Sequence, residues 1–324
     1  MAEPTVNQLV TTTLQNYHRT IYDNVTNNNA LLAQMKMNNR IRVIQGGRTV
    51  VCPLAYAEED FNWYSGVDAL PRALKETISE AEYAPALAAA SITLSGEDLT
   101  KNRGREAILN LLEGKIDNAE RTLENNISLG LYSDGTTPKQ LVGLQALVAD
   151  APATGIVGGI DRATWAFWQN KVQSVTVSNG SDPDGDHALV KGALNQAWLK
   201  VTRGRDKPDL ICADDRLYSD YEWGLQDNQR YTSSRLGELG FMTLKYKGAD
   251  MVYDSAASGH PGGGYMLNTK YMKFEIYRGR NFQPLNLPDA TPDMDAITRH
   301  IAFMGALTLS NAMLQCRILV TVTP

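Results

Sequence analysis

Residues 49–94 read TVVCPLAYAEEDFNWYSGVDALPRALKETISEAEYAPALAAASITL, and the order of patterns within them decides the fold. Thr49, Val50 and Val51 open a β-branched run, and Ala84 to Leu94 ends on another, Ser91-Ile92-Thr93-Leu94. Between them Phe61, Trp63, Tyr64, Gly66, Leu70, Pro71 and Leu74 stand among charges with neither helical nor strand period. The simplest shape is a long two-stranded projection with an aromatic tip. An isolated hairpin of that length is marginal in water, and its open edges invite pairing. Such a projection needs a neighbouring molecule to lie on. Phe61, Trp63, Tyr64, Leu70 and Leu74 are then the inter-subunit contacts of the tip, since clustered exposed aromatics mark interfaces. The alternative is that they pack on their own loop.

Upstream, Ile41 and Val43, then Gly46-Gly47, then Thr49 to Val51 read as strand, turn, strand. Further back, Val6, Leu9, Val10, Thr13, Leu14, Tyr17 and Ile21 recur three or four apart, as one helical stripe does. Asn24, Asn27, Asn28 and Asn29 weaken it, and Leu31, Leu32 and Met35 resume it. Residues 1–39 therefore read as an N-terminal arm with little core of its own, whose Leu9, Leu14, Tyr17 and Ile21 would contact a neighbour. Residues 40–94 are the projection and its base.

Downstream, Ser95-Gly96-Glu97-Asp98 is a helix start with Ser95 as the cap. Ile108, Leu109, Leu112, Ile116, Ala119, Leu123 and Ile127 form one buried face, with Glu113, Lys115, Asp117, Glu120, Arg121 and Glu124 opposite. A rod of roughly 45 Å results, stopped at Gly130 and the Ser133-Asp134-Gly135 turn, so that 95–135 is one unit.

Residues 139–253 alternate strands and helices. Leu141 to Val148 is strand-like. Asp161 caps a helix holding Trp165, Phe167, Trp168 and Val172, and Asp186 caps another whose face is Leu189, Val190, Ala193, Leu194, Ala197, Trp198 and Val201. Trp165, Phe167, Trp168 and Trp198 are expected in the core. Residues 208–213 are a buried strand, 214–226 a helix, and 244–252 a hairpin turning at Gly248-Ala249-Asp250. Residues 254–324 return to strands: 265–268, 272–276 and 316–322, with 296–309 either strand or short helix.

Composition narrows the function. The chain has 324 residues, 43% hydrophobic and 21% charged, with a formal net charge of −5. That supports a sizeable core and one to three domains. A protein that grips nucleic acid through phosphates carries a basic excess or segment, and neither is present. No run approaches the ~20 apolar residues of a membrane span, and residues 1–13 lack a secretory pattern, so no membrane partner is expected. Cys52, Cys212 and Cys316 are far apart and odd in number, giving no disulfide framework.

Motifs of catalysis are missing. Gly262-Gly263-Gly264 follows Pro261 and precedes a strand, so it reads as a turn, not a phosphate cradle. Asp182-Pro183-Asp184-Gly185-Asp186 resembles a calcium loop, but Ala193 stands where the twelfth-position Glu belongs. None of His18, His187, His260 and His300 has metal-site spacing. Asp214-Asp215 at a helix start complements the helix dipole. No catalytic residue, cofactor or metal is expected.

The order of elements is arm, two-stranded extension, long solitary helix, mixed α/β unit, return strands. It resembles the α+β Hong Kong 97-like fold of tailed-phage major capsid proteins across nearly the whole chain. Local phrases resemble that family too: Gly143-Leu144-Gln145-Ala146-Leu147 followed by Gly158-Gly159-Ile160-Asp161-Arg162-Ala163; Pro208-Asp209-Leu210-Ile211 with Tyr218 and Tyr221; and Leu244 to Val252 through Tyr265-Met266-Leu267-Asn268-Thr269. The resemblance implies N-arm, E-loop, spine helix, axial domain and peripheral domain. It implies self-assembly into hexamers and pentamers of an icosahedral virion shell, made in a bacterial cytoplasm. The shell would enclose double-stranded DNA without sequence-specific binding. Expected partners are a separate scaffolding protein, a portal and a decoration protein. Lys75 lies in the extension, but no partner asparagine is matched, so cross-linking is not expected. Rival readings are an encapsulin-like nanocompartment shell and an α/β enzyme.

Overall fold

The computed structural model describes residues 29–68, 70, 75–97, 105–178, 183–225, 242–254, 262–285 and 296–323. Helix α1, Ala30–Met37, opens the described chain, with the Asn29 side chain accepting from Leu32 N at 3.1 Å. Ala30 to Met35 are all buried. α1 packs on strands of both main sheets: β1 (Ile41–Ile44), β12 (Met272–Tyr277) and β8 (Leu210–Ala213). Residues 30–37 are therefore core, which corrects the expectation of an arm extending to residue 39. Its apolar residues surround the helix instead of forming one stripe, as suits a helix between two sheets.

The first sheet has five strands. β1 lies parallel to β12, and β12 is antiparallel to β14 (Ala296–Leu309). β13 (Gln283–Pro284) and β4 (Ala86–Ser95) also pair with β14. Two expectations fall here. β1 makes no hairpin with β2 (Val50–Ala55), because Gly46 and Gly47, at φ 76° and 109°, turn the chain out of the sheet. Residues 84–94 do not run up the projection either. β4 pairs along its 10 residues with β14, which resolves 296–309 as strand.

Helix α2, Arg105–Leu131, is 27 residues long, ~40 Å at 1.5 Å per residue. It lies on β4, with Leu112, Ile116, Ala119, Leu123 and Ile127 buried and Lys115 Nζ donating to Thr93 O at 2.5 Å. The apolar spacing placed these five correctly, while the side chains of Ile108 and Leu109, expected on the same face, lie outside the described residues. Glu120, assigned to the opposite face, is buried, and the helix passes Gly130. Ser95 ends β4, and Gly96 and Glu97 after it are helical, so a helix starts where Ser95 was expected to cap one.

The second sheet runs β7-β15-β11-β8-β10-β9, with β7 Lys171–Ser178, β15 Cys316–Thr323, β11 Gly263–Leu267, β10 Ala249–Tyr253 and β9 Thr243–Tyr246. The two-residue period of a strand divides its side chains between two cores. Leu210, Cys212, Tyr265 and Leu267 face the first core, with α1 and the first sheet. Ile211, Ala213, Met266, Cys316, Ile318 and Val320 face the second, beneath the helices at Pro183–Val201 and Asp215–Trp223. The return segment does not go to one unit: β12 to β14 join the first sheet, β11 and β15 the second.

Between α2 and β7, the expected strand at 141–148 is a loop with one helical turn, α3, Leu144–Leu147. Arg162, fully buried, donates through Nη1 to Ala146 O at 3.0 Å and through Nη2 to Leu147 O, taking up carbonyls a strand would need. In place of the expected helix after Asp161 come a tight turn, a single 3-10 turn at Ala166–Trp168, and β7, which takes Val172. Gly158 and Gly159, at φ 60° and 78°, join β5 (Ile156–Val157) to β6 (Ile160–Asp161). Asp161 then accepts from Ala163 N at 3.0 Å and Thr164 Oγ1 at 2.7 Å.

Two helices cover the outer core. α4, Pro183–Val201, begins three residues before the expected cap, so 183–186 is a first helical turn, not a calcium loop. α5, Asp215–Trp223, is capped by Asp214, which accepts from Leu217 N at 2.8 Å. Lys247 and Gly248, at φ 47° and 94°, make the β9–β10 turn one residue earlier than expected.

All three cysteines are buried. Burial pushes their thiols up, Cys316 to about 12, so little thiolate forms near neutrality. A maleimide should therefore label the native chain negligibly and all three sites in denaturant, counted by intact mass. Rapid native labelling of Cys212 or Cys316 would contradict this packing.

Candidate interaction surfaces

The projection is built by β2 and β3 (Ile78–Tyr83), antiparallel from Val50↔Tyr83 to Ala55↔Ile78. Alternation splits β2: Val50, Cys52 and Leu54 are buried, Val51, Pro53 and Ala55 exposed. The buried set, with Ala81 and Tyr83, roots the hairpin in the first core. Tyr83 Oη donates to Leu309 O at 2.7 Å, and Glu82 N to Gly158 O at 2.9 Å. A Cβ on Gly158 would come within 2.9 Å of the Ala81 Cβ, so the root is tightly seated. The reach from 49 to 94 thus satisfies itself at its root and not at its tip.

Beyond the Tyr56 N to Thr77 O bond the described residues of the loop carry no strand. Ser65 N donates to Asp68 Oδ2 at 2.9 Å and Asp68 N to Ser65 O at 3.1 Å, closing a small turn around Gly66. Lys75 pairs with Asp60, and Thr77 Oγ1 donates to Glu59 at 2.8 Å. These polar bonds shape the loop but cover none of its rings. Phe61 and Trp63 meet edge to face at 5.2 Å, yet Trp63 is 89% exposed, Phe61 73% and Tyr64 64%. Leu70 is exposed with them, as is Val67, which the sequence reading missed. Burying one such side chain is worth about 1.5–3 kcal/mol. Leu74 of the tip, and Leu9, Leu14, Tyr17 and Ile21 of the arm, lie outside the described residues.

At the foot of the projection a second aromatic group is open to solvent. Tyr56 stands 5.7 Å from Trp165 and 5.5 Å from Phe167, ring centre to ring centre. Trp168 and Trp198 are core as expected, but Trp165 is 46% exposed. It follows a tight turn in place of a helix, so helical periodicity does not bury it.

The polar clusters elsewhere are structural. Asp214 accepts from Leu217 N and Gly263 N; burial pushes its carboxyl up against those bonds. Asp209 takes Asn38 Nδ2 at 3.0 Å and Thr269 N at 2.7 Å, tying the end of α1 to the loop before β12. Among the described residues no group of three His, Cys, Asp or Glu is placed to hold a metal ion. No described helix is long and apolar enough to cross a membrane.

No protein-family model matches the chain, and no curated protein sequence does. Solved structures do. A cyanophage A-1(L) capsid subunit superposes with a TM-score of 0.62 over 87% of this chain and 91% of its own, at 16% identity. A chain from Mycobacterium phage Bobi gives 0.57 over 89% and 90%, at 12% identity. The capsid of a native GTA particle gives 0.54 over 88% and 89%, at 11% identity. The chain has the fold of these capsid subunits, and the expected α+β Hong Kong 97-like architecture is borne out.

Proposed function

We propose that the chain is the major capsid protein of a tailed phage, a subunit that assembles with copies of itself into an icosahedral shell around packaged double-stranded DNA. The observation that carries this reading is the tip: five apolar side chains, Phe61, Trp63, Tyr64, Val67 and Leu70, are held out from a rooted hairpin without cover of their own. A fold shared with phage capsid subunits over most of the chain supports it. The tip lies across a neighbouring subunit in pentamers and hexamers, and Leu74, Leu9, Leu14, Tyr17 and Ile21 add further contacts. Many modest contacts sum by avidity in a closed shell. The first sheet with α2 acts as the peripheral unit and the second sheet as the axial unit. The net charge of −5 suits a wall that encloses DNA without gripping it. A scaffolding protein, a portal and a decoration protein are its partners, and the virion is its place after synthesis in the bacterial cytoplasm.

The test is negative-stain microscopy of the full chain, expressed with its scaffold. Closed shells of uniform diameter are expected, and a chain that stays monomeric overturns the reading. Shells filled with protein cargo and devoid of DNA would favour a nanocompartment instead. Trp63→Ala should lower shell yield at least ~10-fold, because a central interface tryptophan is worth about 2 kcal/mol or more. It should leave the melting temperature of the unassembled chain within about 2 °C. A large melting loss with normal shells would refute the interface role.

A further inference from the structure

We propose that the groove at the foot of the projection receives the basic end of a second copy, seating Arg48, Arg278 and Arg280 against its rings and carboxylates. This rests on the reading that copies of the chain associate, and it names a contact separate from the tip.

The groove encloses roughly 500 Å³ between two elements. Tyr56 and Ile78 come from the upper end of β2 and β3, Trp165 and Phe167 from the turn after β6. Ile78 is 73% exposed, so this wall lacks cover. Glu76 and Glu80 stand on the lip, and among the described residues neither carboxylate has a hydrogen-bond or ion-pair partner. Hydrogen bonds from Thr164 and from the Ala163 amide hold the Asp161 carboxyl below the usual carboxylate range, adding a fixed negative charge. Ring faces beside unengaged carboxylates suit a guanidinium, which stacks on an aromatic face while its fork meets a carboxylate.

A matching surface exists on the same molecule. β1 runs parallel to β12, so Ile44 and Tyr277 end together. Tyr277 Oη donates to Gly47 O at 3.0 Å, so the residue before Arg48 is tied to the residue before the single 3-10 turn Arg278–Arg280. Arg48 and Arg278 are exposed and Arg280 half-buried, and none has an ion pair with a described residue. Gly279 between them faces open space. The six residues of β2 separate this end from Tyr56 by roughly 20 Å. An arginine side chain cannot cross that span, so a copy cannot fill its own groove. Groove to basic end is a head-to-tail contact, the kind that closes into rings.

The tip carboxylates are the competing receptor. They are less suited, because Asp60 is engaged by Lys75, Glu59 by Thr77 and Asp68 by Ser65, which leaves Glu58 as the single unengaged carboxylate there among the described residues, against Glu76 and Glu80 in the groove.

The experiment uses charge reversal in the full chain. Glu76→Lys with Glu80→Lys should cut shell yield at least ~10-fold, as should Arg278→Glu with Arg280→Glu. All four changes in one chain should restore yield to within ~2-fold, since every groove then meets an opposite charge again. The melting temperature of each unassembled variant controls for folding. Either double reversal assembling normally overturns the proposal. So does the fourfold variant staying as low as the doubles while melting like the parent. Restoration by Glu58→Lys with Glu59→Lys in place of the groove changes would assign the receptor to the tip and also overturn it. In any oligomer, differently tagged Glu80→Cys and Arg280→Cys chains should join through a short bis-maleimide, the native cysteines being buried. Absence of that product overturns the contact even if no shells form. Absence of shells from the parent chain with the product present sinks only the shell reading.

Discussion

A chain in which residues 57–76 are replaced by a two-residue Asn-Gly turn is expected to fold normally and to form no closed shells. The fold should survive because every buried side chain among the described residues of the hairpin lies below the cut: Val50, Cys52, Leu54, Ala81 and Tyr83 remain, with the Tyr83 bond to Leu309 O. The register from Val50↔Tyr83 to Ala55↔Ile78 also remains, and Asn-Gly suits the hairpin twist. What disappears is a set of exposed side chains that do nothing for the isolated subunit. Melting should shift by no more than a few degrees, and it should rise if the loop's closure entropy outweighs its few polar bonds. Particle yield by microscopy should fall to background. Shells of parental size from the tipless chain would remove the main argument for the proposed function. A collapse in melting would show that the tip belongs to its own subunit's core.

The tip was legible in sequence because its aromatics sit in a charged, aperiodic stretch. Helix α2 was legible because one stripe, Leu112 to Ile127, repeats over several turns. The β9–β10 hairpin was legible to within one residue because Gly248 supplies left-handed backbone that a tight hairpin needs. The failures share another cause. Strand pairing is not local: nothing in 84–94 tells that β4 leaves β3 and runs along β14, two hundred residues on. Residues 41–51 look like a hairpin until β12 claims β1. In 141–148 and 161–172 the deciding agents are single polar side chains. Arg162 takes two carbonyls and Asp161 closes a turn, each overriding an apolar pattern of fair quality. Trp165 shows the consequence, since a residue assigned to the core by helical spacing becomes half-exposed once the helix is a turn. The foot groove was invisible for that reason, whereas the tip was not.

Gly264→Ala is expected to be among the most damaging single methyl additions in the chain. The run Gly262-Gly263-Gly264 reads as a turn, but Gly263 and Gly264 lie within β11, flanked by β8 and β15. A Cβ at Gly264 would sit 2.5 Å from Cys212 O and 2.7 Å from Leu217 Cδ2. Its backbone φ is ordinary, so the obstacle is the close approach of β8 and α5, not conformation. Neither neighbour yields easily. Cys212 O is backbone in the middle of a sheet, and Leu217 is fully buried beneath α5. Spreading β11 from β8 would loosen a strand that serves both cores at once, through Tyr265 on one face and Met266 on the other. Overpacking of this kind costs typically 1–3 kcal/mol, and here the upper end applies, about 3 kcal/mol or more. That is a large share of the ~5–15 kcal/mol available to a folded domain. Gly192→Ala is the matched opposite: it lies inside α4 with open space around its Cβ, so it should stabilise by about 0.5–1 kcal/mol through helix propensity. Thermal melting of the two variants should therefore move in opposite directions, Gly264→Ala downward by at least about 5 °C. If both melt alike, β11 does not approach β8 as closely as the sheet requires, and the placement of the glycine run in the second sheet is wrong.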